Sequence, residues 1–305
     1  MTSADGGSAR DGARDSARDS VLADVGHVAA DLRLATEPDP ATGPPLLLDV
    51  RWALGMTDGH DHYLAGHLPG AVYVDLETEL AAPASPSAGR HPLPSAASFQ
   101  ESARRWGVRE GSRIVVYDAV GGTSAARAWW LLRYFGIPDV RILDGGLQAW
   151  ERAGLPLEVG EVVRDAGDVV VTPGQLPVLD ADDAAELAHH GVLLDARAAE
   201  RYRGEVEPVD PRAGHVPGAV SAPTTGNLGS DGRFLDDVAL RERFAALGVP
   251  VDEGAEVGVY CGSGVTASHE VAVLATLGVR AALYPGSWSQ WSGDPSREVA
   301  LGARP

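Results

Sequence analysis

The chain has 305 residues, 44% of them hydrophobic and 22% charged, which suits two ordinary globular domains and excludes a disordered or fibrous protein. A formal net charge of −18 opposes general affinity for nucleic acid or anionic membrane; small anions can bind only where local cations or backbone N–H groups collect them. One cysteine excludes a disulfide framework and a Cys-based zinc site and points to a reducing cytoplasm, and no apolar run approaches the ~18–20 residues of a membrane span.

The chain opens with MTSADGGSARDGARDSARDS, residues 1–20, a polar low-complexity tail without the apolar core of a secretory signal, expected to be disordered. A first domain is expected over 21–156. In it LLLDVR (46–51) is followed by AGHLPGAVYVD (65–75), SRIVVYDAVGG (112–122) and RILDGGLQAW (141–150), with strands at Leu46–Val50, Ile114–Tyr117 and Val140–Leu143 and a helix over 124–136. Residues 157–178 carry Gly, Pro and acidic residues without helical periodicity and read as an extended linker. A second domain, 179–305, repeats the series in the same order: VLLDAR (192–197), AGHVPGAVSAP (213–223), AEVGVYCGSGV (255–265) and ALYPGSWSQW (282–291). Its strands are expected at Val192–Asp195, Val257–Tyr260 and Ala281–Tyr284, and its helices over 237–248 and 266–278. The Leu-Asp pairs at 48–49 and 194–195 are 146 residues apart, the signature of a duplicated domain.

Strands alternating with helices predict βαβ units and parallel sheets flanked by helices. Ligands of such sheets bind beyond the carboxyl ends of the strands, where Cys261 follows Val259-Tyr260. The N-terminal pole of the helix beginning near Thr266, together with N–H groups turned inward at Gly262 and Gly264, would stabilise negative charge on that sulfur, as a nucleophilic cysteine requires. Residues 262–267 also match Gly-x-Gly-x-x-Ala, but the following Ala281-Ala282-Leu283-Tyr284 lacks the acidic residue that a dinucleotide site places there. A cysteine phosphatase would carry Arg six residues after its nucleophile, where this chain has Ala267.

The pieces GHLPGA and GHVPGA, VVYDAVGG, WWLLRYFG, LDGGLQAW, YCGSGVTAS and YPGSWSQW, spread over residues 45–295, resemble the tandem-domain sulfurtransferases of the rhodanese family. The resemblance implies two rhodanese-like α/β domains related by duplication, with only the second active. It implies that Cys261 takes sulfur from a donor as a persulfide and passes it on, without metal or organic cofactor. Asp118 aligns with Cys261 and cannot hold a sulfane sulfur. His67 and His215, matched in both copies, read as braces of the Gly-x-Pro-Gly turn, and Asp49 and Asp195 as structural. His60 and His62 in DGHDHY read as solvated and not as metal ligands.

Gly262, Ser263, Gly264, Val265 and Thr266 carry no cation for the sulfite that thiosulfate releases, and CGSGVTA resembles the loop of 3-mercaptopyruvate sulfurtransferases. The resemblance makes Ser263 part of a proton relay, with His91 of GRHPLPSAASF and Glu77 as its partners from the first domain; the family has aspartate at the latter place. It makes Arg201 the residue that grips the donor's anionic end and Arg212, shifted from the family position that Asp210 occupies, its second cation. An interdomain cleft follows. The acceptor is expected to be cyanide or a thiol, free or on a thioredoxin-like partner. A thiosulfate:cyanide sulfurtransferase and a sulfur-relay or redox-sensing module with a protein partner remain as alternatives.

Overall fold

The computed structural model describes residues 17–34, 43–251 and 254–305. The expected tail falls mostly on residues 1–16, outside the described residues. Its last part is held: Arg18 donates to the carbonyl of Leu235 and pairs with Asp237 at 2.9 Å, so residues expected to be free reach across to the second half.

Two all-parallel sheets form. The first joins β1 (Leu22–Ala23), β2 (Leu46–Asp49), β3 (Val72–Tyr73), β4 (Ile114–Tyr117) and β5 (Val140–Leu143) in the order β1-β5-β4-β2-β3. The second joins β6 (Val192–Asp195), β7 (Val220–Ser221), β8 (Val257–Tyr260) and β9 (Ala282–Leu283) in the order β7-β6-β8-β9. Register repeats with order: Asp49 lies opposite Tyr117 and Asp195 opposite Tyr260, so the duplication read from sequence is a duplication of pairing. The central strands read as unbroken Val, Ile and Leu because helices cover both faces. The two-residue strands β1, β3 and β7 escape a periodicity reading, since they are shorter than one alternation.

The helices of the first half are α1 (Val25–Leu34), α2 (Gly59–Ala65), α3 (Leu76–Glu79), α4 (Ala96–Arg105), α5 (Ala125–Tyr134) and α6 (Gly146–Arg152). Those of the second are α7 (Ala181–His190), α8 (Ala199–Tyr202), α9 (Asp237–Ala246), α10 (Val265–Thr276) and α11 (Ser287–Trp291). Their starts are written in side-chain caps: Ser95 accepts from the Ser98 N–H, Asp236 from the Ala239 N–H, and Asp180 with Asp183 closes a capping box. The helices α5, α9 and α10 stop at Gly136, Gly248 and Gly278, whose φ of +89°, +71° and +84° suits the left-handed residue that ends a helix.

The helices α5 and α10, each following the central strand of its sheet, pack against one another and are buried on almost every side. One apolar cluster therefore runs from Leu48 and Val116 of the first sheet through Trp130 and Leu274 to Val259 of the second. Residues 157–178 form no helix: the chain bonds back to Phe135 through Thr172, then Pro177 accepts from Leu283 beside β9. The ends of β4 and β8 are thus fixed face to face, and the site lies between them.

Candidate active site

Cys261 leaves β8 into a loop held from two sides. Its carbonyl accepts from the Trp288 N–H at 2.9 Å, that of Gly262 from the Ser289 N–H at 2.9 Å, and the Ser287 hydroxyl accepts from the Cys261 N–H at 3.2 Å. Ser287 adopts φ +52°, an unfavourable conformation for a residue with a β-carbon, and this bend aims its hydroxyl at the loop. Cys261 is 2% exposed, and its sulfur accepts from the N–H groups of Gly264 at 3.1 Å and Ser263 at 3.4 Å. Gly264 has φ +80°, and a β-carbon there would stand 2.8 Å from the Pro285 carbonyl oxygen, so only glycine lets its N–H turn toward the sulfur.

The first half carries the same loop around Asp118. Its buried carboxylate accepts from four backbone N–H groups, those of Val120, Gly122, Ser124 and Ala125, at 2.8–2.9 Å. The strand-to-helix turn is an anion cradle in both copies, holding oxygen in one and sulfur in the other.

His91 and Ser263 come from opposite halves and meet: His91 Nδ1 lies 2.7 Å from Ser263 Oγ. The other ring nitrogen lies 3.1 Å from Glu77 Oε2, and Trp52 Nε1 donates to Glu77 Oε1 at 2.7 Å. With Nε2–H directed at the carboxylate, Nδ1 is left to accept from the serine. Burial pushes His91 below its ordinary value against the opposing pull of Glu77, so the ring is neutral at pH 7. Glu77 projects from the first turn of α3, and the extra methylene relative to aspartate is accommodated because its carboxylate is half exposed at the rim.

A cavity of about 290 Å3 opens onto Cys261, Gly262, Ser263, Val265 and Thr266 of the loop and onto Trp52, Arg90 and Arg201. Carboxylates and guanidiniums alternate along its edge. Asp195 pairs with Arg197 at 2.6 Å, Arg197 with Glu207 at 3.4 Å and Glu207 with Arg201 at 2.6 Å. Arg201 then meets Asp210 at 3.1 Å and Asp210 meets Arg90 at 2.5 Å. A β-carbon on Gly262 would lie 3.1 Å from Arg90 Nη2 and 3.5 Å from Arg201 Nη1, so both cations stand over the loop.

Arg212 is elsewhere. Its guanidinium donates to the carbonyls of Trp291, Ser292, Asp294 and Arg297, capping the end of α11, and it does not line the cavity. Those four carbonyls take four of its five N–H donors, which the displaced spacing in sequence could not reveal. Sequence reasoning missed Arg90, Trp52 and Arg127. The first is signalled only by standing next to His91. Arg127, on α5, is fully buried; it donates to the carbonyls of Leu80 and His91 at 3.2 and 2.9 Å and faces that of Gly264 at 3.5 Å.

The paired histidines sit apart from the cavity. His67 bonds the carbonyls of Leu68 and Gly160, His215 that of Tyr202, and each stacks on a tyrosine, Tyr63 or Tyr202. Asp49 and Asp195 each hold an arginine two residues on, which ties the strand end to the carbonyl of Gly66 or Gly214. His60 pairs with Glu161 and His62 with Asp58. Among the described residues no group of three or more His, Cys, Asp or Glu is arranged to hold a metal, and no helix is long and apolar enough to cross a membrane.

Comparison with known proteins matches this geometry to relatives. The rhodanese-like domain profile matches residues 33–153 and again 180–294. A putative thiosulfate sulfurtransferase, SseB of Mycobacterium tuberculosis, is 51% identical over 86% of this chain and 93% of its own length. A probable 3-mercaptopyruvate sulfurtransferase of Pseudomonas aeruginosa is 49% identical over 84% of this chain and 92% of its own. The crystal structure of SseA from Escherichia coli, described as a 3-mercaptopyruvate enzyme with the rhodanese fold, superposes with a TM-score of 0.76 at 36% identity, covering 88% of this chain and 98% of that one. With two rhodanese domains and relatives of this closeness along most of its length, the chain belongs to the tandem-domain sulfurtransferases of the rhodanese family.

Proposed function

We propose that the chain moves a sulfane sulfur from 3-mercaptopyruvate, through a persulfide on Cys261, to a thiol or cyanide acceptor. The observation that carries this reading is the hydrogen-bonded run from Glu77 through His91 to Ser263, whose own N–H lies on the Cys261 sulfur. A donor that breaks a carbon–sulfur bond leaves as an enolate and must be protonated; departing sulfite has no such need. A serine, a neutral histidine and a carboxylate in series supply that proton.

In the first step the Cys261 proton passes through Ser263 to His91 as the cysteine sulfur forms a bond to the donor sulfur. The carbon–sulfur bond breaks with its electron pair on carbon, and the imidazolium, steadied by Glu77, returns the proton through Ser263 to give pyruvate. In the second step an acceptor thiolate attacks the outer sulfur and the Cys261 thiolate leaves. Backbone N–H groups from Gly262 to Thr266 support the charge on sulfur, and Arg201 offers its Nη1 to the donor's carboxylate.

A second reading, thiosulfate as donor, is favoured by one observation: Arg90 and Arg201 supply beside the loop the cations that its own sequence lacks. Asp210 and Glu207 offset both charges, which disfavours a dianion relative to a monocarboxylate. Initial rates of transfer to cyanide from each donor, for the native chain and Cys261→Ser, test the reading. Preference for mercaptopyruvate, abolished by the substitution, supports it; preference for thiosulfate overturns the donor assignment, and turnover by Cys261→Ser overturns the nucleophile.

A further inference from the structure

The two arginines over the loop are not equivalent. Arg201 spends its side-on edge within the protein: Nε donates to Glu207 Oε2 at 3.3 Å and Nη2 to Glu207 Oε1 at 2.6 Å. Only Nη1 is left to the cavity, so Arg201 can meet an anion end-on and not through two parallel bonds. Arg90 is the reverse. It bonds Asp210 through Nη1 alone, its Nε is buried without a partner among the described residues, and its Nη2 is the atom nearest the position a Gly262 β-carbon would take. The Nε–H and Nη2–H of one guanidinium are parallel donors spaced for the two oxygens of a carboxylate. A buried donor left unpaired is costly, which marks this edge as one that a ligand completes.

The position of Arg90 is itself fixed. Its backbone N–H donates to Ser289 Oγ at 3.0 Å, tying the His91 loop to the start of α11, which also holds the Cys261 and Gly262 carbonyls. The Asp210 carboxylate, 3% exposed, lies between Arg90 Nη1 and Arg201 Nη2 and bridges the two guanidiniums. We propose that Arg90, from the first domain, seats the carboxylate of the donor through its Nε–Nη2 edge, while Asp210 holds Arg90 and Arg201 together and cancels enough charge to favour a monoanionic donor over a dianionic one. This rests on the mercaptopyruvate reading. It puts the carboxylate-binding cation and the proton-handling histidine on adjacent residues, so one loop of the first domain sets both ends of the donor against Cys261.

The test uses the full chain. Sulfur transfer from 3-mercaptopyruvate and from thiosulfate to cyanide is measured for the native protein, Arg90→Met, Arg90→Lys and Asp210→Asn, with calorimetric titration of pyruvate into each. Arg90→Met is expected to raise the KM for mercaptopyruvate and the Kd for pyruvate about tenfold or more, with kcat changed less than about threefold; Arg90→Lys, which keeps charge without the fork, recovers part of the loss. Asp210→Asn is expected to lower the KM for thiosulfate about tenfold and so narrow the preference between donors. Unchanged KM and Kd in Arg90→Met, or a fall in kcat alone, overturns the proposal while leaving the donor reading standing. A native protein that neither turns over mercaptopyruvate nor binds pyruvate overturns both. Should Arg90→Met fail to fold, Arg90→Lys and Asp210→Asn decide: thiosulfate kinetics unchanged in Asp210→Asn and pyruvate binding unchanged in Arg90→Lys overturn it.

Discussion

His91 and Ser263 stand 172 residues apart in the chain and 2.7 Å apart in the fold, each contributed by a different domain. The imidazole is neutral because burial disfavours its charged form, and it must be neutral to accept the serine proton. Activity is therefore lost only as pH falls through a value below the ordinary 6.5 of histidine, and kcat/KM for mercaptopyruvate should hold its plateau further into acid than a free imidazole would allow. Glu77→Gln removes the charge that opposes desolvation, so the acid limb moves lower still while the plateau drops. A pH profile of both proteins checks this; an acid limb that rises on Glu77→Gln contradicts it.

Ser263→Ala separates the donors. The variant should lose about 100-fold or more in kcat with mercaptopyruvate, whose leaving group needs a proton, and much less with thiosulfate, whose leaving group does not. Parallel steady-state kinetics read the difference, and equal losses would show that the hydroxyl serves Cys261 and not the leaving group.

Arg127 pairs with no carboxylate among the described residues, and burial pushes it down to about 10, still protonated at neutral pH. Its guanidinium faces the carbonyl of Gly264, the residue whose N–H lies on the Cys261 sulfur. Arg127→Met should slow alkylation of Cys261 by iodoacetamide at pH 7 about tenfold and destabilise the fold by about 1–3 kcal/mol through the carbonyls of Leu80 and His91 that it leaves unpaired. Arg127→Lys should restore part of the alkylation rate. Alkylation at the native rate in both variants would reduce Arg127 to a strut.

Glu270, buried on α10, bonds Asn227 through one oxygen while the other has no partner, and burial pushes it up to about 7. Its folded value lies above its unfolded 4.5, so the folded state binds the proton more tightly and stability declines as pH rises from about 4.5 toward 7. Glu270→Gln removes the proton dependence: the variant should gain melting temperature relative to the native chain at pH 8 and not at pH 5. The neighbouring His269, lowered to about 4, acts in the opposite sense, losing stability as pH falls from 6.5 toward 4. A variant that melts in parallel with the native protein at both pH values contradicts the assignment.

The sequence made legible what repeats and what is local. Leu46–Asp49 and Val192–Asp195 announce themselves twice, and Cys261 is unique and sits at a strand end, so the sheets and the cysteine loop could be read from order and spacing. Glu77 and His91 were found through resemblance, since nothing in GRHPLP distinguishes a ring buried against another domain from one in a surface turn. Arg212 shows the limit of counting: a shift of two residues from Asp210 turns a guanidinium from the cavity to the end of α11. Arg90 was invisible because its meaning lies in which of its edges is occupied, and that occupancy is set by Asp210, 120 residues away.

The cradle around Asp118 has a consequence for how the duplicated halves divide their labour. Four N–H groups close on a carboxylate that cannot depart, so the first domain is a permanently filled receptor whose ligand is covalently its own. The second domain keeps the same receptor around Cys261, and on the proposed mechanism it loads and empties it at every turnover. On that mechanism a loop that passes through both states gains a partner that never leaves one of them: α5, its first turn anchored on Asp118, packs against α10, the helix that the Cys261 loop opens into.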